Sequence, residues 1–127
     1  MSEKTVTQKL GLKADKTLLV LRHPTGTEKL LGEIPAGAQV VFKSAAPCPL
    51  VLLFCEDKAS LVKNLGPSKR NLEIGGALWV AYYKGTSKIK TDINRDTIRE
   101  YVTTLGLDTV AQIAIDEDWS ALRLKVV

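Results

Sequence analysis

Gly75-Gly76-Ala77-Leu78-Trp79-Val80-Ala81-Tyr82-Tyr83 opens the stretch that decides the fold of this chain. The run after the two glycines is apolar without a break, as in a strand covered on both faces. A polar, basic loop follows over residues 84–92. Asn94 then stands as an N-cap ahead of Ile98, Tyr101, Val102 and Leu105, whose spacing of i, i+3, i+4, i+7 makes one helical stripe. Gly106 supplies the left-handed residue that closes such a helix. Residues 109–115 read as a strand and Asp116-Glu117-Asp118 as a turn. Residues 119–126 return with Leu122, Leu124 and Val126 on one face and Ala121, Arg123 and Lys125 on the other. That alternation predicts a half-exposed antiparallel edge.

Upstream, Leu50-Val51-Leu52-Leu53-Phe54-Cys55 is a second two-sided strand, expected beside residues 77–83 at the centre of a parallel sheet. Asp57 caps a helix with Leu61, Val62 and Leu65 inward, and Gly66-Pro67 reads as its stop. Thr17-Leu18-Leu19-Val20-Leu21 is another continuous run. Thr5-x-x-Gln8 resembles a capping box for a short helix ending at Gly11. Thr27 is placed to cap a weak helix with Leu30, Leu31 and Ile34 inward. Residues 39–42 form a short strand lying about half a dozen residues before the next. A parallel crossover usually takes a dozen, so this segment is expected to be antiparallel or an irregular edge segment. The order is that of an α/β three-layer sandwich with a mostly parallel, Rossmann-like sheet ending in an antiparallel hairpin. The 127 residues suit a single α/β domain over 1–127.

Composition excludes several classes. At 45% apolar and 25% charged the chain is that of a globular protein. The N-terminal residues lead into no apolar signal segment and the longest apolar run is too short for a bilayer, so the cytoplasm is expected. Cys48 and Cys55 are separated by roughly 23 Å of extended chain and are not expected to pair. His23 is the only histidine and has no Cys or His at metal-ligand spacing, so no metal is expected. Net charge is +4. Lys84, Lys88, Lys90, Arg95 and Arg99 form a basic segment over residues 84–99, set against Asp92 and Asp96. Aromatics make up 6% and none is interleaved with those cations, which ranks nucleic-acid binding last among the functions considered.

Lys9-Leu10-Gly11-Leu12-Lys13, Gly76-Ala77-Leu78-Trp79-Val80 with Lys84 after it, Leu105-Gly106-Leu107 and Trp119-Ser120-Ala121-Leu122-Arg123 carry a resemblance. By these pieces the chain resembles a small bacterial family catalogued as a domain of unknown function. It also looks like the later half of a Rossmann-like methyltransferase. The resemblance spans nearly the whole chain; relatives often carry Pro before the lysine, where this chain has Tyr83. The family implies no catalytic residue. Methyltransferases of this fold hold their cofactor with a glycine-rich turn after the first strand and an acid after the second. Here the first strand ends Arg22-His23-Pro24-Thr25-Gly26-Thr27 and the second Lys43-Ser44. With a single glycine and no acid, no cofactor is expected.

In open α/β sheets ligands bind outside the carboxyl ends of the strands. Those ends present Arg22, His23, Lys84 and Ser87, together with the hairpin residues Asp116, Trp119 and Ser120. The expected function is a non-catalytic module binding a small anionic ligand or a protein partner at this edge, with no membrane partner. The alternatives are a small enzyme using Lys84 and His23 on an anionic substrate, or weak nucleic-acid binding through residues 84–99. Cys55 at a strand end reads as a buried thiol, and Asp57 as a helix cap.

Overall fold

The computed structural model of the protein describes residues 6–22, 31–43, 47–84, 91–116 and 118–126. Six strands make one sheet in the order β2-β1-β3-β4-β6-β5. They are β1 (Thr17–Leu21), β2 (Gln39–Val41), β3 (Cys48–Phe54), β4 (Leu72–Tyr83), β5 (Leu107–Ala114) and β6 (Trp119–Val126). Among the described residues the α-helices are α1 (Val6–Leu10), α2 (Lys58–Ser68) and α3 (Arg95–Thr103). Strands β1 to β4 pair in parallel, whereas β6 is antiparallel to both β4 and β5.

Successive strand residues face opposite sides of a sheet, and the core divides accordingly. Leu19, Val51, Leu53, Val80 and Leu122 face α2 and α3, meeting Leu61, Leu65, Ile98 and Val102. Leu18, Val20, Leu52, Phe54 and Ala81 face Val6 and Leu10 of α1. Trp79 joins that second layer and donates its indole N–H to the Leu10 carbonyl at 3.0 Å. The expected three-layer sandwich is thus the fold, with β3 and β4 adjacent at its centre. The α3 cap is formed as the sequence predicts. Asn94 accepts the N–H groups of Asp96 and Thr97, and Thr97 returns its hydroxyl to the Asn94 N–H.

Four expectations are corrected. The segment 39–42 is parallel to β1, not antiparallel. It occupies the sheet edge beyond β1, and only Gln39–Val41 is strand. With so short a strand, the return to the start of β3 covers about 14 Å, two strand spacings and three residues of rise. Six residues of chain are long enough to reach that far, so a parallel return needs no dozen residues here. Strand β6 is interior, paired on both sides, and β5 is the edge. Helix α2 does not stop at Gly66-Pro67 but runs to Ser68. Its last turn closes with the Ser68 hydroxyl donating to Leu65 O at 2.6 Å and the Lys69 N–H to the Gly66 and Pro67 carbonyls. Strand β4 starts at Leu72, ahead of the glycines. Cys48 pairs with Leu72 but Leu50 with Ala77, so residues 73–76 bulge out.

Two inward assignments also fail: Val62 is 47% and Ile34 is 44% exposed. Leu31 is buried as expected, while residues 27–30 lie outside the described set. Cys48 and Cys55 are both buried, at opposite ends of β3, and are not joined in a disulfide. No helix among the described residues is long and apolar enough to cross a membrane.

Candidate functional site at the carboxyl edge of the sheet

The strand order reverses at β1, since β2 is added on one side of it and β3 on the other. The crevice outside the carboxyl ends of β1 and β3 is therefore the switch point, where α/β sheets bind ligands. A cavity of about 550 Å³ lies there, lined by Arg22, Phe42, Phe54, Glu56, Asp57 and Ser60. Arg22 sits in the left-handed region at φ +58°, which is uncommon for a residue with a side chain. Asp57 caps α2 by accepting the Ser60 N–H at 2.8 Å, and Asp92 accepts the Lys58 N–H at 2.7 Å. Two carboxylates thus already hold N–H groups at the start of α2, where a bound anion would find its donors. The Thr91 hydroxyl bonds the Glu56 carbonyl at 2.7 Å and anchors the chain after β4 to this corner.

A second cavity, about 410 Å³, lies at the end of β4 against α3 and β6. Tyr82 and Ser120 are a directly opposed pair across β4 and β6. Both are buried, and the Ser120 hydroxyl is close enough to the Tyr82 phenol to favour its ionised form. Around them stand Lys84, Asn94, Arg95, Asp96 and Gln112. An adjoining hollow of about 300 Å³ shares Arg95, Asp96 and Gln112 and adds Arg99. Arg95 meets Asp96 only at 3.8 Å with both side chains mostly exposed, a pair worth little in water. Arg99 is held by Asp108 at 3.4 Å. Burial raises the Tyr82 phenol above its ordinary range, and Arg95 and the Ser120 hydroxyl oppose that shift.

The seven residues singled out in the sequence therefore separate. Lys84 and Ser120 line one groove, and Arg22 the other. Asp116 accepts the N–H groups of Asp118 and Trp119, both at 2.8 Å, and so shapes the hairpin turn. Trp119 is 6% exposed; it stacks on Tyr83 at 4.1 Å and meets Phe54 edge-on at 4.9 Å. The Lys84 N–H bonds Asp118 O at 2.8 Å, extending the β4–β6 ladder to the groove. His23 and Ser87 lie outside the described residues. Sequence reasoning passed over Tyr82 and Gln112, and counted Arg95 only within the basic segment over residues 84–99. Tyr82 was legible in principle, since it lies two residues before Lys84 and so shares its face.

Cys55 follows β3 with its N–H on Ala81 O at 2.8 Å. Burial, aided by Asp57, pushes its thiol up to about 12, with Arg22 opposing. Among the described residues no group of His, Cys, Asp and Glu could hold a metal ion.

Residues 44–127 match the family described as Protein of unknown function (DUF3052). The chain belongs to this family. The DUF3052 match starts just ahead of β3 and takes in both α2 and α3 and the terminal hairpin. No curated protein matches the chain. Solved structures are similar to it over most of both lengths. The DhpI–SAH complex is 9% identical, with 95% of this chain and 82% of that chain covered at TM-score 0.64. A SAM-dependent methyltransferase from Aquifex aeolicus is 14% identical, with coverages of 96% and 88% and TM-score 0.60. The glycopeptide N-methyltransferase MtfA complexed with sinefungin is 10% identical, with coverages of 95% and 83% and TM-score 0.60. At these identities the likeness is one of fold, and it extends to the first two strands as well as the later ones.

The fold's cofactor can be tested against the switch point. Arg22 stands at the end of β1 where a glycine would let a ligand approach the backbone. Phe42, not an acid, follows β2 and lines the cavity. These residues do not fit a ribose-bearing cofactor.

Proposed function

We propose that this DUF3052 chain is a non-catalytic module that binds a small phosphate- or carboxylate-bearing anion in the groove between β4, α3 and β6. The observation that carries the reading is the buried Tyr82–Ser120 hydroxyl pair, facing a cavity that Lys84 and Arg95 also line. An anion takes its strongest hydrogen bonds from charged donors, and two cations with two hydroxyls supply a mixed set. Asp96, on the same wall, disfavours highly charged anions. The non-catalytic part rests on the state of the candidate nucleophiles. Burial keeps both the Tyr82 phenol and the Cys55 thiol protonated at neutral pH, and the thiolate is the reactive form of a cysteine.

The test is a thermal-shift screen of phosphates, carboxylates and nucleotides on the wild type and on Lys84→Ala, followed by titration of each hit. Lys84→Ala should weaken a hit by about 1.5–3 kcal/mol, the range for a hydrogen bond to a charged group. The unliganded melting temperature should barely move. Unmoved curves for every class in both proteins would leave the groove as solvated turns beside a protein-interaction surface.

A rival reading, an enzyme acting on an anionic substrate, draws on the likeness to proteins named as methyltransferases. As a methyltransferase it would require cofactor affinity, and the arrangement of Arg22 and Phe42 argues against that; as acid–base chemistry by Lys84 and His23 it would not.

A further inference from the structure

We propose that a cleft at the opposite end of the sheet, between the β4 bulge and the end of β6, binds a monocarboxylate carrying an apolar tail. The β4–β6 ladder stops at Leu78 opposite Leu124, yet β4 reaches back to Leu72 and β6 runs on to Val126. The two strands separate there and leave a cavity of about 680 Å³. That volume lies within the ordinary range of small-molecule sites, which are mostly apolar with a few placed polar groups. Leu72, Leu78, Leu107 and Leu124 line this cavity, with Ile74 and Val110 alongside them.

The bulge is a built feature. Gly75 takes φ +82°, a conformation that glycine adopts at no steric cost. A Cβ on Gly76 would lie 2.8 Å from Pro49 O and 3.0 Å from Glu73 O, so the backbone packs where no side chain fits. This geometry holds Ile74 at 104% exposure, and Val110, the unpaired residue at the β5 register shift, is 46% exposed.

Charge selects the occupant. The cavity is also lined by Lys69, Arg123 and Lys125, against the single acid Glu73. Lys69 Nζ already donates to Leu105 O at 3.1 Å. The ion pairs among the described residues are Arg95–Asp96 and Arg99–Asp108, so Arg123 and Lys125 hold no carboxylate there. A polyanion would leave the exposed Ile74 and Val110 without a partner, and a neutral hydrocarbon would leave the two cations without one. A single carboxylate on an apolar tail answers both.

The experiment is calorimetric titration of the full chain with hexanoate, octanoate, decanoate and uncharged decanol, each below its micelle concentration. It is repeated on Ile74→Asp and on the Arg123→Ala/Lys125→Ala double variant, with melting curves to verify folding. The affected side chains are exposed, so all variants should fold. Affinity should rise about fourfold per added methylene, the value of one buried CH₂. Ile74→Asp should weaken decanoate at least tenfold, and the double variant should weaken decanoate but not decanol. No heat with decanoate, or equal affinity in all three proteins, would overturn the proposal. So would a concentration-dependent dimer abolished by Ile74→Asp, because a second copy would then cover the cleft.

Discussion

The Cys55 thiol gives a quantitative test of how the end of β3 is packed. It is fully buried, and burial raises its pKa from 9.0 to about 12. A raised pKa means that the folded state holds its proton more tightly than the unfolded chain. The contribution is fully present below about pH 9 and is lost as pH rises toward about 12. Each unit of pH in that window costs about 1.4 kcal/mol per group. Integrated from pH 8 to pH 11, Cys55 alone should remove about 2.5 kcal/mol of stability. Other groups titrate in the same range, including Tyr82 and Tyr83, whose phenols are also raised by burial. The measurement is therefore a difference. Urea unfolding of wild type and Cys55→Ala at pH 8, 9, 10 and 11 gives the stability gap at each pH. Cys55→Ala should be the less stable protein at pH 8 and lose less on going to pH 11, narrowing the gap by about 2.5 kcal/mol. A gap that stays constant across the series would refute the argument and place the thiol in contact with water. Thiol-reagent kinetics at pH 8 should agree, with Cys55 modified only as the chain opens.

Other perturbations have signs set by the same packing. Leu53, 1% exposed at the centre of the sheet, should cost about 2–5 kcal/mol on replacement by alanine, and an unchanged denaturation midpoint would contradict its burial. Gly66 lies inside α2 directly before Pro67, whose ring disfavours a Cβ on a helical residue there, so Gly66→Ala should bring no gain in stability despite the open space beyond. Gly76→Ala meets backbone oxygens instead and should destabilise by about 1–3 kcal/mol; the same urea series decides both. S-adenosylmethionine should bind no tighter than about 1 μM by calorimetry, because Arg22 and Phe42 stand where the fold's cofactor needs a glycine and an acid.

The sequence was most legible where burial is symmetric. Leu50 to Phe54 and Ala77 to Tyr83 announce central strands because both their faces must be covered. Helix α3 was legible because cap, stripe and closing glycine agree. Reading failed where a local breaker was overruled by tertiary contacts. Gly75-Gly76 looked like the end of a loop, yet β4 passes through them because Leu72 reaches Cys48. Gly66-Pro67 looked like a stop, yet the Ser68 hydroxyl and Lys69 N–H supply bonds for one more turn. The strand ends, and hence the edge, were visible from the chain. Its division into two grooves was not, because that depends on β6 slotting between β4 and β5. Only that order sets Ser120 opposite Tyr82 and brings Gln112 and Arg95 to Lys84.

The strand order also carries a history of assembly. Strands β3, β4, β6 and β5 stand side by side and come from one continuous part of the chain, whereas β1 and β2 attach to the far side of β3. The β5–β6 hairpin closes the shortest loop and can form early, and β4 then joins it through α3. Until β1 arrives, the backbone donors and acceptors of Leu50 to Leu53 lie along a bare, wholly apolar edge. An unpaired edge of that kind is where two half-folded chains join. The short N-terminal strand pair therefore acts as the cover that separates folding from aggregation.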